Sequence, residues 1–207
     1  MSPVHMTPVP NSTVVAYRDD GPLSRAMGLL VAGQLPPLPP VLAGTFVTGV
    51  LLLLGVAGTD GLAVFAPAVT LLLAGPGSTH PHDGRVDWLV PPILRVIEYT
   101  FVAACGFAHQ LNPVLIFLLL GALAFHHYDL VYRLRQRVYP PSWLATLGLG
   151  WDGRMMAVSL VALMGPMTAG YALLAVYLWA LFGWESLTSW LAAPRSGVEA
   201  ADMGTQD

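Results

Sequence analysis

The sequence predicts an all-α, polytopic membrane protein with about six transmembrane helices and a short N-terminal interfacial helix. Three observations carry this reading. Of 207 residues, 55% are hydrophobic and only 10% charged, whereas a soluble domain carries about 25% charged residues. The apolar residues gather into runs close to the length that crosses a hydrocarbon core of roughly 30 Å at 1.5 Å per helical residue. The cations, all arginine, fall on alternate connections between those runs.

Taken in order, residues 1–20 ("MSPVHMTPVPNSTVVAYRDD") lack the charged and apolar regions of a signal peptide. They read as a disordered lead-in to a membrane domain over residues 21–192. In "GPLSRAMGLLVAGQLPPLPP", Leu23, Met27, Leu30 and Val31 recur at helical spacing and predict the interfacial helix. The run "LPPLPP" cannot continue it. The first span is read over Val41–Gly58 and, after the turn "TDG", the second over Leu62–Gly75. The third runs from about Trp88 to Ala108 and the fourth from about Asn112 to Val131. "RMMAVSLVALMGP" forms a short fifth, and the sixth runs from about Thr168 to Leu191. Gly165-Pro166 divides the last two, because a helix rarely passes through such a pair. Residues 193–207, small, polar and acidic, are expected to be disordered.

With six spans and the N-terminus inside, Arg18, Arg25, Arg85, Arg133, Arg135, Arg137, Arg154 and Arg195 lie on one side. Arg95 sits near that end of the third span. The opposite connections ("TDG", "HQLN", "GPM") hold no arginine. The positive-inside rule then places both termini in the cytoplasm, with the chain in the plasma (inner) membrane. A net charge of −3 offers no basic surface for nucleic acid. The single Cys105 excludes an intrachain disulfide and a cysteine-based zinc cluster. The expected partner is the lipid bilayer, and a homodimer is compatible with the pattern.

Ionisable side chains at membrane depth are costly and mark internal pairs or polar cavities, so each needs a reason. "HPHDGRVDW" brings His80, His82, Asp83 and Asp87 within eight residues, with Arg85 among them. Such N and O donors suit a divalent ion. Asp83 and Asp87 are the stronger ligand candidates and the histidines the weaker, since Pro81 and a loop context fix no geometry. The other reading is a polar loop between two spans. In "VDWLVPPILRVIEY", Asp87, Pro91, Arg95 and Glu98 share a helical face. Arg95 and Glu98 there either line a site or pair with each other. In "FHHYDLVYRLRQR", His126, Asp129 and Arg133 also share a face. They could bind a phosphate, with Arg133 donating and Asp129 orienting an imidazole. Alternatively Arg133, Arg135 and Arg137 contact anionic lipid. Asp152 in "GWDGRMM" reads as the cap of the helix it precedes.

An interfacial helix, six spans and a polar cluster around spans two and three resemble the CDP-alcohol phosphotransferases. That family's signature is D-x-x-D-G-x-x-A-R followed by G-x-x-x-D-x-x-x-D. The resemblance implies four aspartates on neighbouring helices that hold divalent metals and the CDP diphosphate, one of them activating the acceptor hydroxyl. Over residues 21–139, "GRVDWLVPPILRVIEY" looks like the second half of the signature and "FHHYDLVYR" like a polar motif ending a later span. The first half is missing, with no acid from Leu62 to His82. Asp87 could match the third aspartate, and Pro91 stands where the fourth would be. The chain so looks like a degenerate relative of that fold. As a whole it resembles more closely an actinobacterial membrane domain of unknown function associated with nucleotidyltransferase and CDP-alcohol phosphotransferase domains. That resemblance rests on "YRDDGPLS", "GQLPPLPP", "HPHDGRVDWLVPP", "HHYDLVYR" and "GWDGRM".

The leading expectation is a non-catalytic module that partners such an enzyme, or holds its lipid substrate, in phospholipid headgroup or inositol phosphate metabolism. An alternative is a phosphotransferase with a rearranged site. Asp83 and Asp87 would hold Mg2+ or Mn2+, Arg85, Arg95 or Arg133 would bind phosphate beside Glu98 and Asp129, and His126 or His127 would act as base, with Asp87 the other catalytic candidate. A third is a small transporter or channel with Arg95, Glu98 and His126 along its path, although no inverted repeat is visible.

Overall fold

The computed structural model describes residues 11–56, 61–136 and 138–192, and among these every regular element is helical. Six helices are long and apolar enough to cross a membrane. Residues 11–20, expected as part of a disordered lead-in, instead form α1 (Asn11–Arg18) and a tight turn. Within that turn Asp19 adopts φ 54°. The expectations for residues 1–10 and 193–207 lie outside the described residues.

Helix α2 (Pro22–Val31) is the expected short helix and begins with proline in its first turn, where a missing N–H costs nothing. It buries Ser24 and Gly28. Ser78 Oγ donates to Ser24 O (2.7 Å) and Thr79 Oγ1 to Gly28 O (2.8 Å). A Cβ on Gly28 would collide with Ser78 Oγ, so only glycine permits this approach. Leu29 and Leu30 point outward, as a helix lying in a bilayer interface would have them.

The first span, α3 (Leu38–Val56), takes its two prolines in the first turn. Its partner is compound. A 3-10 turn (Leu62–Phe65) leads into α4 (Ala66–Ala74) and a second 3-10 turn (Gly75–Thr79). α3 and α4 pack together, joined by a 2.5 Å hydroxyl pair between Thr48 and Thr70. The third span starts as a 3-10 turn (Asp87–Leu89) and continues as α5 (Val90–Ala108), with Pro91 and Pro92 in its first turn. The fourth, α6 (Pro113–Arg135), is capped by Asn112, which accepts from Val114 N at 2.9 Å. It runs one turn past the expected end, carrying Tyr132, Arg133 and Arg135 with it. A short α7 (Leu144–Leu147) precedes α8 (Gly150–Met164), and Gly165 at φ 95° reverses the chain into α9 (Met167–Ala192). The Gly-Pro division of the last two spans is therefore real.

α5 is central, packing against α1, α3, α6 and α8, while α9 packs mainly on α6. The core between them joins Leu94, Phe101, Leu119, Leu123, Met155 and Tyr171. Large apolar side chains such as Phe46, Leu53, Phe117 and Leu191 face outward, as the lipid-contacting surface of a bundle requires.

Candidate functional site

Buried charge gathers where α1, α5, α6, α8 and α9 meet, and it is organised around three arginines that come from distant parts of the chain. Arg154, in the first turns of α8, is fully buried. Its Nε donates to Glu98 Oε1 at 2.6 Å and its Nη2 to Asp19 Oδ2 at 2.6 Å, with a further bond to Glu98 Oε2 at 3.2 Å. Nη1 donates to Gly148 O (3.0 Å). One cation thus joins an acid of the α1–α2 turn to an acid in mid-α5.

Both histidines of α6 close on the same Asp19. His127 Nε2 lies 3.2 Å from Oδ2 and His126 Nε2 3.3 Å from Oδ1. Because a carboxylate only accepts, Nε2 of His127 carries the proton and its Nδ1 accepts from Tyr99 OH at 2.8 Å. His126 stacks on Phe182 with ring centroids 4.0 Å apart. Burial pushes the Asp19 carboxyl up, but Arg154 and the two imidazoles prevail and hold it well below the usual carboxylate range. A cavity of about 200 Å³ opens beside Asp19 and His126 and is flanked by the exposed Arg25.

The second node holds the N-terminal segment in place. Arg18, 1% exposed, donates from Nε to Asp20 Oδ2 (2.6 Å) and from Nη2 to Ala74 O (3.1 Å). Trp151 Nε1 donates to Asp20 Oδ1 at 2.8 Å. Arg18 Nη1 also lies 3.2 Å from His82 Nε2. An arginine can only donate, so His82 accepts there and gives its Nδ1 proton to His80 O, 2.6 Å away. Burial first, and then the Arg18 guanidinium, lower the His82 pKa, which keeps the ring neutral.

A third node ties α6 to α9. Arg133 forks onto Glu185, with Nη1 to Oε1 at 2.5 Å and Nη2 to Oε2 at 2.7 Å, and reaches Asp129 Oδ2 at 2.8 Å. Trp190 Nε1 donates to Asp129 Oδ1 (3.1 Å) and Ser189 Oγ to Glu185 Oε1 (2.9 Å).

These nodes re-sort the residues that the sequence singles out. Arg95 and Glu98 share a face of α5, yet the alternative of a pair between them is not realised. Glu98 goes to Arg154, and Arg95 Nη2 donates to Tyr17 O at 3.0 Å. His126, Asp129 and Arg133 share a face of α6 but serve two different nodes. Asp152 does not cap its own helix, since Leu149 is the residue before α8. Its carboxylate instead caps α2, accepting from Gly21 N (2.6 Å), Leu23 N (3.0 Å) and Ser24 N (3.0 Å). Arg85 is exposed, and Arg137 lies outside the described residues.

Of the metal candidates, His80, Asp83 and Asp87 converge, with one ligand atom of each within 4.8 Å of the others. Gly84 N donates to Asp87 Oδ2 at 3.0 Å and fixes that carboxylate. His82 leaves the group for Arg18. One imidazole and two carboxylates suit Mn2+ or another first-row divalent ion better than Mg2+, which prefers oxygen alone.

Sequence reasoning passed over Arg18, Asp19, Asp20, Arg154 and Glu185 as site residues. Two signals were present. Glu185 is a lone acid inside the apolar stretch "LFGWESLTSWL", and an acid at that depth requires a partner. The adjacent acids of "YRDDG" stand next to a glycine and a proline that start a helix.

The profile of a family of unknown function (DUF5941) matches residues 11–206. No curated protein and no solved structure matches the chain.

Proposed function

We propose that this chain, which belongs to that family of unknown function, is a non-catalytic membrane module that partners an enzyme of phospholipid headgroup metabolism or holds its lipid substrate. One observation carries the reading. Six acids of the bundle are already engaged by the chain's own donors: Asp19 and Glu98 by Arg154, Asp20 by Arg18 and Trp151, Asp129 and Glu185 by Arg133, and Asp152 by three backbone N–H groups. Carboxylates committed in this way hold the bundle together and leave little charge to compensate two metal ions and a diphosphate. The tie to CDP-alcohol chemistry comes from the resemblance of "GRVDWLVPPILRVIEY" and "FHHYDLVYR" to parts of the phosphotransferase pattern. The positive-inside pattern supports a plasma-membrane location with both termini cytoplasmic.

A second reading is favoured by one specific feature, the convergence of His80, Asp83 and Asp87. It is a phosphotransferase built on that triad with Mg2+ or Mn2+. His126 and His127, its candidate bases, are both turned to Asp19. The transport reading has less support, because Glu98 is fully buried against Arg154.

The deciding experiment measures CMP release from a CDP-alcohol by the purified protein, with Mg2+ or Mn2+ and a polar acceptor alcohol. The module alone is expected to release none. Co-expressed with a CDP-alcohol phosphotransferase, it should co-purify with that enzyme and change its turnover. Metal-dependent release that Asp87→Asn abolishes would replace the first reading with the second.

A further inference from the structure

Between α1, α5 and α6 lies a groove of about 340 Å³. Two guanidiniums, Arg95 and Arg135, line it, and no acid does among the described residues. Among the described residues Arg95 is held by one hydrogen bond. Its Nη2 donates to Tyr17 O, while its Nε is buried without a hydrogen-bond partner. Asp19 and Glu98 act on this charge through space, yet a guanidinium with an unmet donor still favours an acceptor at the groove. Arg135, the last residue of α6, is exposed.

The walls indicate what carries that acceptor. Trp88 stands 63% exposed at the start of the third span, and Tyr17 lies beside it in the same lining. Amphipathic rings of this kind sit at the level of lipid headgroups. Arg95 comes eight positions after Asp87, about 12 Å further along the helix. The groove therefore runs from the polar end of the span to a cation one layer deeper. Val14 and Val131 complete an apolar wall that suits the glycerol and upper acyl region of a lipid. Forked guanidiniums are suited to phosphate oxygens.

We propose that this groove binds the phosphate of an anionic phospholipid headgroup between Arg95 and Arg135. The assignment deepens the lipid-holding reading above and rests on the chain lying in a bilayer. CMP release tests whether the chain is catalytic, and lipid binding tests the groove, so each can fail without the other.

The test uses the full chain in a neutral detergent, with binding followed by native mass spectrometry. Phosphatidate is the probe, phosphatidylcholine the zwitterionic comparison and glycerol 3-phosphate the soluble one. Phosphatidate should bind best. Arg135→Gln, at an exposed position, should weaken it about fivefold or more, and Arg95→Gln should weaken it further. Arg25→Gln removes the same charge from an exposed site outside the groove and should change binding less than twofold. Thermal unfolding of each variant separates a lost contact from a lost fold at Arg95, and Arg135→Gln decides the matter if Arg95→Gln is unstable. Equal losses in Arg25→Gln and Arg135→Gln would overturn the site in favour of general surface charge. Glycerol 3-phosphate binding as tightly as phosphatidate would overturn its assignment to a lipid.

Discussion

Replacing Arg154 by methionine keeps the aliphatic stem of the side chain and removes the guanidinium that bonds both Asp19 and Glu98. Glu98 is 0% exposed and cannot turn to water for compensation, while the Asp19 side chain, 11% exposed, reaches only the cavity beside His126. Breaking a buried pair by deleting one partner costs about 3–5 kcal/mol. The lost bond to Gly148 O adds on the order of 1 kcal/mol. Arg154→Met is therefore expected to lose about 4–6 kcal/mol, a large share of a marginal folding free energy. Glu98→Gln removes the acid on the other side, and the two changes should be far from additive, with a coupling of about 2 kcal/mol or more. Unfolding in mixed micelles by rising SDS, followed by tryptophan fluorescence, measures both. Trp151, buried beside Arg18 and Asp20, places a reporter within the same region. A loss below about 1 kcal/mol for Arg154→Met, or additive effects in the double variant, would show that water or other donors satisfy these acids and would refute the reasoning.

Three further outcomes follow from the same geometry. His82 has a lowered pKa when folded, so its contribution is fully present above the unfolded value of about 6.5 and is lost as pH falls toward the folded value. His82→Gln keeps an acceptor for Arg18 and should flatten that part of the stability profile; an unchanged slope would assign it to another group. Asp152→Ala frees three N–H groups at the start of α2 and should cost about 1–2 kcal/mol, with faster hydrogen exchange at Leu23 and Ser24. Exchange unchanged there would mean that α2 does not depend on this cap. Mn2+ binding, followed by the EPR signal of the free ion, should weaken tenfold or more in Asp87→Asn, and equal binding in both proteins would exclude the His80–Asp83–Asp87 triad as a metal site.

The class of the protein is legible in its sequence, and for a definite reason. Crossing a bilayer requires a long apolar run in which the helix satisfies its own backbone, so length and composition alone select six spans. The break at Gly165-Pro166 and the first-turn prolines of α3 and α5 are likewise local rules. Convergence of Asp83 and Asp87 with His80 was also within reach, because the three lie within one loop and turn. The pairing of charges was not. Helical periodicity places Arg95 with Glu98 and His126 with Arg133, but it says nothing of what stands across the interface. Arg154 lies 56 positions from Glu98 and 135 from Asp19, and Arg133 lies 52 from Glu185. Asp152 looks like a local cap and serves a helix about 130 residues earlier. The cost of a buried charge says that each of these groups must have a partner, which sequence alone determined. Which partner each one takes depends on how α1, α5, α6, α8 and α9 cross, and only the tertiary structure decided that.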